Sequence, residues 1–203
     1  MHKILRALIL SDLFLLGSFG LVQPIFAVFM LNNIIGTSLV AIGVAAAIPL
    51  VTKAFLQIMI ALWTDAESGN RRELFTLFIG SILMSLAPFG FVFATNLTHV
   101  YILQFVYGLG TALVYPGWIV IFSRYSRDEK RGYEWSVYST VVSLGTATTA
   151  FLGGYMAELY SFRHIFVVVG VLSFIGTGFI VHVFRQEFTR QKHLLQKGQL
   201  RRR

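Results

Sequence analysis

Hydrophobic positions in this chain fall in long blocks rather than in alternation. Six apolar runs stand out, at Leu5–Leu31, Thr37–Thr64, Leu74–Ala94, Thr98–Phe122, Trp135–Leu159 and His164–Phe184. Each matches or exceeds the ~20 residues a helix needs to cross the hydrocarbon core of a bilayer. A membrane barrel would show shorter segments of alternating polarity, so the pattern predicts six transmembrane helices. The breaks between runs are short. Asn32-Asn33 and Gly36 close the first pair, and Thr95-Asn96 parts the third run from the fourth. Asp65–Glu73 and Ser123–Glu134 are too highly charged to lie in lipid. The first run carries Asp12 and lacks a small-residue cleavage site after it, so it reads as a span and not as a leader.

Composition sharpens this into an exclusion. Of the 203 residues, 56% are hydrophobic and only 13% charged, against about 25% charged in ordinary soluble domains. A water-soluble fold of this size cannot hide so much apolar surface. The absence of cysteine removes disulfides, thiol catalysis and thiolate metal sites. The net charge of +8 is unevenly placed. Apart from Lys53 within a run and Arg163, all lysines and arginines belong to one side: Lys3, Arg6, Arg71, Arg72, Arg124, Arg127, Lys130, Arg131 and the stretch Arg185–Arg203. By the positive-inside rule this is a multi-pass cell-membrane protein with both termini cytoplasmic. The charge is thus a topology signal, and nucleic acid is not the expected partner. A domain of residues 1–184 is followed by a basic tail, 185–203, in which Phe188, Leu194, Leu195 and Leu200 interleave with the cations. The tail reads either as an amphipathic helix on anionic headgroups or as a frayed solvated end.

Charges inside spans are costly and therefore candidates for function. There are two, Asp12 and Lys53. At ~1.5 Å per residue, Asp12 lies about 9–14 Å from the membrane boundary and Lys53 about 18 Å. They suit either a structural ion pair or a solute or proton site in a cavity. On the fourth span Gln104, Tyr107, Gly108, Thr111, Tyr115 and Trp118 recur at three- and four-residue spacing, a polar and aromatic face. The first span adds Gln23 on the stripe of Asp12, and the second adds Gln57 beside Lys53. Such faces point to a protein-lined cavity, because lipid cannot satisfy amides; packing between helices is the competing use of Tyr115 and Trp118. The hydroxyl and glycine residues of the fifth span suit close helix contact. Prolines 24, 49, 88 and 116 mark the first four spans. Asn96-Leu97-Thr98 fits a glycosylation sequon by chance, and the scattered histidines make no metal site. No phosphate loop, nucleophile elbow or paired carboxylates occur, so neither an enzyme nor a cofactor is expected.

Several local patterns carry a resemblance. Ala61-Leu-Trp-Thr-Asp65, followed by Gly69, Arg71 and Arg72, resembles the cytoplasmic signature of the major facilitator superfamily, with Ala61 for its glycine and a turn one residue longer. Gly20-Leu-Val-Gln-Pro24 is similar to the family's first-span segment. Gly108-Leu-Gly110 is similar to its fourth span, with Gln104 where an arginine often stands. Asp128-Glu-Lys-Arg131-Gly132 resembles the approach to the fifth span, and Gly145, Gly153 and Gly154 match the fifth-span antiporter motif in part. The resemblance implies a cytoplasmic gate at Asp65, Gly69, Arg71, Arg72, Arg124 and Arg131. It implies an all-α membrane protein, a six-helix half bundle built from two three-helix inverted repeats. A shift of 92 residues sets Gly20–Pro24 on Ala112-Leu-Val-Tyr-Pro116, in keeping with such a repeat. The implied function is secondary active transport of a small solute by alternating access, with protons a candidate coupling ion. The partners would be the bilayer and a second copy or second half. The alternative is a non-transporting half-length protein, a relic or a regulator of a full-length relative.

Overall fold

The computed structural model describes residues 1–66 and 71–200, the side chains of residues 188 and 190–200 excepted. Gly69 of the gate therefore lies outside the described residues, as do the Phe188, Leu194, Leu195 and Leu200 side chains of the tail. The chain is helical throughout: α1 (Lys3–Phe19), α2 (Phe26–Asn33), α3 (Leu39–Asp65), α4 (Arg71–Phe91), α5 (Leu97–Tyr125), α6 (Arg131–Leu159) and α7 (Phe162–Leu200). A 3₁₀ turn, Asp128–Lys130, leads into α6. Among the described residues, α3, α4, α5 and the Phe162–Glu187 part of α7 are long and apolar enough to cross a membrane.

The first and fifth runs depart from that standard for local reasons. The first is split just before Pro24, which has no N–H to give Gly20 and whose ring crowds that carbonyl. Residues 20 to 22 tighten instead into three-residue turns, Gly20 N–H to Gly17 O, Leu21 N–H to Ser18 O and Val22 N–H to Phe19 O, at 3.0–3.1 Å. Pro49, Pro88 and Pro116 sit inside continuous helices. The fifth run forms one long helix, α6, but its serines, threonines and glycines dilute its apolar character.

From α2 onwards, direction alternates from helix to helix. At one end the α2–α3 and α4–α5 loops meet, with the Ile35 N–H on Thr95 O at 3.0 Å. There Phe29 also packs edge-on against Phe162 and Phe166. At the other end, which carries the arginine-rich loop, His2 stacks on Tyr125 at 4.5 Å. Helix starts are capped by side chains: Ser38 accepts from Ala41 N–H, and Asn96 of the sequon accepts from His99 N–H at 3.0 Å.

Helix α5 packs on α3 and α4, α7 on α4 and α1, and α6 on α1. Phe19 of α1 and Tyr107 of α5 join the two middle helices, their rings 4.5 Å apart. The result is a row of α3, α5, α1 and α6, with α4 and α7 behind its middle pair. Small residues set the spacing. A Cβ on Gly80 would come within 2.6 Å of Gly110 O, and one on Gly108 within 2.7 Å of Pro49 Cα, so these helix pairs meet at backbone distance. Hydroxyl pairs lock the back of the bundle: Ser18 with Ser173 and Ser85 with Thr177, each at 2.9 Å.

Candidate functional site

The two charges expected within spans, Asp12 and Lys53, have separate partners. Asp12, 5% exposed on α1, accepts a hydrogen bond from the Tyr138 hydroxyl of α6 at 2.9 Å. Lys53 of α3 lies over the Tyr115 ring of α5, its Nζ 4.0 Å from the centroid. An ammonium over an aromatic face is held by the ring quadrupole. No ion pair joins Asp12 to Lys53 among the described residues, so neither charge neutralises the other. Aromatic side chains of α5 and α6 stand between them. Trp118 stands one turn beyond Tyr115 on α5, and its ring is 4.7 Å from that of Tyr138. Lys53, Tyr115, Trp118, Tyr138 and Asp12 thus draw on all four helices of the row.

Tyr138 is the member sequence reasoning missed. It is one apolar-bodied residue in a span read as packing, and only its contact across helices separates it from other tyrosines. The remaining cavity candidates are dispersed. Tyr107 meets Phe19, and Gln104 is half-buried on the same helix. Gln57 is one turn from Lys53, and its Oε1 is buried without a hydrogen-bond partner among the described residues. Gln23 lies exposed in the turn between α1 and α2. Trp118 is buried, its Nε1 lacks a hydrogen bond among the described residues, and Phe122, Trp135 and Tyr138 surround it.

The described residues of the expected gate spread along the basic end. Asp65 closes α3, exposed, and has no ion-pair partner among the described residues. Arg72 reaches across the loop to Trp63, donating to its carbonyl at 2.8 Å with the guanidinium over the indole at 4.8 Å. Arg71 and Arg124 are exposed. Arg131 bonds Asp128 at 2.5 Å, both side chains in solvent. The tightly built part of this end is Glu134, 2% exposed in the first turn of α6. It accepts from the Ser126 hydroxyl at 2.9 Å and the Arg127 N–H at 3.0 Å, with Arg127 Nε 3.8 Å away. Burial alone would raise its pKa. The Arg127 N–H, the Ser126 hydroxyl and the Arg127 charge outweigh that and hold the carboxyl below the usual carboxylate range.

The three fifth-span glycines differ in what surrounds them. A Cβ on Gly153 would strike Leu21 O in the α1–α2 turn, whereas one on Gly145 would meet the movable end of Leu13. Gly154 faces open space. Thr149, in the same stretch, donates to Gly17 O at 2.5 Å.

Among curated proteins the chain is similar to the multi-drug resistance efflux pump PmrA of Streptococcus pneumoniae serotype 4, with 27% identity over 178 residues, 86% of this chain and 43% of the pump. A PmrA homolog from Lactococcus lactis is 24% identical over 174 residues, 85% of this chain and 42% of that protein. The chain therefore spans less than half the length of these relatives. A family model for the Major Facilitator Superfamily matches residues 8–202. With that match over nearly all of its length, and with apolar helices packed at backbone distance, the chain belongs to the Major Facilitator Superfamily.

Proposed function

We propose that the chain is one half of a secondary transporter that moves a small solute by alternating access, docked against a second six-span unit such as another copy of itself. In this reading six spans cross the bilayer, the α1–turn–α2 segment as one and α6 as another. The basic end lies in the cytoplasm by the positive-inside rule, with residues 185–203 forming a basic extension of the 1–184 domain. The shift of 92 supports two inverted three-helix repeats. It carries Ser85 onto Thr177, and these hydroxyls bond each other, as residues at a two-fold axis do. It also carries the α1–α7 pair Ser18 and Ser173 onto Gly110 and Ser81, beside the close approach of Gly80 to Gly110.

The observation that carries a transport role is the polar line across the row, with a carboxylate and an ammonium held inside the span by aromatic partners rather than by each other. Charges there cost stability unless function retains them. Both stand in the row that a second unit would face, where Gln57 and Gln104 add amides. The name of the relatives makes efflux of drug-like solutes the first activity to assay. Asp65, Gly69, Arg71, Arg72, Arg124 and Arg131 then serve as the cytoplasmic gate that opens and closes against the second unit.

The test is flux of a drug panel in proteoliposomes, with and without a pH gradient. Transport by the wild type is expected to fall at least tenfold in Asp12→Asn and Lys53→Gln, while Gln23→Ala in the exposed turn changes it little. Flux indifferent to both charge substitutions would sink the assignment of the site. No flux under any gradient would favour the second reading, a non-transporting half that binds a full-length relative.

A further inference from the structure

Deep in the bilayer the α1–α7 seam is tight: a Cβ on Gly176 would come within 2.7 Å of Ser11 O, and Ser18 bonds Ser173. Towards the basic end the two helices part. The groove between them has a volume of about 560 Å³, with Lys3, Arg6 and His182 at its mouth and Leu10, Ile175 and Phe179 along its floor. The Phe179 ring is fixed by stacking on Phe14 at 5.9 Å. Gly178 keeps the groove open, since a Cβ there would meet nothing within 4 Å.

The lining has two chemistries in a fixed order. The three basic side chains are exposed, no carboxylate lines the groove, and neither Lys3 nor Arg6 has an ion-pair partner among the described residues. His182 Nε2 is hydrogen-bonded to the neutral Gln186, at 2.7 Å. The floor is apolar and continues into exposed Val171 and Phe174 of α7, a surface suited to acyl chains. A free anion would use the mouth and leave the floor empty. A zwitterionic headgroup would bring an ammonium against three basic groups. We propose that the groove holds one anionic phospholipid, its phosphate against Lys3, Arg6 and His182 and an acyl chain along Leu10, Ile175 and Phe179. The site requires only that this face meets lipid, and it stands whether or not the chain transports.

Native mass spectrometry of the purified full chain, titrated with phosphatidylglycerol, phosphatidylcholine or glycerol phosphate, tests this directly. The wild type is expected to retain phosphatidylglycerol over phosphatidylcholine. Lys3→Gln with Arg6→Gln should weaken phosphatidylglycerol about fivefold per cation removed. Gly178→Leu fills the groove from open space and adds a better helix former. It should block the lipid without lowering thermal stability, which separates loss of the site from misfolding. Equal retention of the two lipids, or unchanged retention in both variants, overturns the proposal. So does competition by glycerol phosphate as effective as the whole lipid. Because no flux is measured, a failure here leaves the transport reading untouched.

Discussion

Glu134 and Asp12 are both buried acids, yet their surroundings give them different tasks. Glu134 receives an N–H, a hydroxyl and a nearby guanidinium, all from the Ser126–Arg127 corner that links α5 to α6. Such charge-assisted bonds stabilise the corner only while the carboxyl is ionised. Glu134→Gln is therefore expected to cost about 1.5–3 kcal/mol at neutral pH, read by thermal or denaturant unfolding in detergent. Its folded pKa is depressed, so the wild-type advantage should be complete above the ordinary glutamate value of about 4.3 and vanish as pH falls through the lower native value. An advantage that persisted unchanged in acid would show that shape, not charge, holds the corner. Asp12 has, among the described residues, a single phenol for a hydrogen-bond partner, 126 residues away along the chain. A periodic pattern reveals which face of a helix is polar. It cannot reveal which face of another helix will be turned towards it, so Asp12 and Lys53 were legible as exceptional while Tyr138 was not.

At the scale of elements, the sequence marks helix limits well because apolar runs end at charges or amides. The predicted Thr37–Thr64 run is observed as Leu39–Asp65, and Trp135–Leu159 as the later part of Arg131–Leu159. The division of the first run escaped that reading, since hydropathy stays high through Gly20–Ile25 while the backbone changes winding. Its Gly-to-Pro pattern was visible, but the matching Pro116 leaves α5 continuous, so a proline alone does not dictate a break. What distinguishes the α1–α2 turn is its support from α6. Gly153 lets Leu21 O approach, and Thr149 bonds Gly17 O at 2.5 Å. Gly153→Ala should push this turn off α6 at an overpacking cost of about 1–3 kcal/mol. Gly154→Ala, one residue on and facing open space, should be neutral or slightly stabilising. The pair is compared by melting temperature in one detergent. Equal effects would mean that the turn does not depend on α6.

For the whole molecule the informative feature is which surfaces stay uncovered. Helices α3 and α6 end the row, each resting chiefly on one neighbour. On α6, exposed Ser136, Ser139, Thr140 and Ser143 follow three- and four-residue spacing and make a narrow face of small hydroxyl residues. Exposed Leu144, Phe151 and Tyr155 make an adjoining, bulky apolar face. Lipid tails suit the second, whereas small residues that admit a neighbouring backbone suit contact with another helix. In the proposed two-unit reading, this division gives α6 one side for the bilayer and one for a second unit. The lack of native cysteine makes the point testable at single positions, since any disulfide must join two chains. If two copies form the transporter, a two-fold along the membrane normal sets α6 of one copy against α3 of the other, so Ser143→Cys co-expressed with Ala54→Cys on exposed α3 should yield a crosslinked dimer on mild oxidation in membranes, and Phe151→Cys with the same partner should not. Crosslinking that tracked Phe151 instead would place the contact on the wrong side of α6. Drug flux from a chain that stays monomeric and crosslinks at neither position would end the two-copy form of the proposal, because a single row of four helices has no opposing wall against which to alternate.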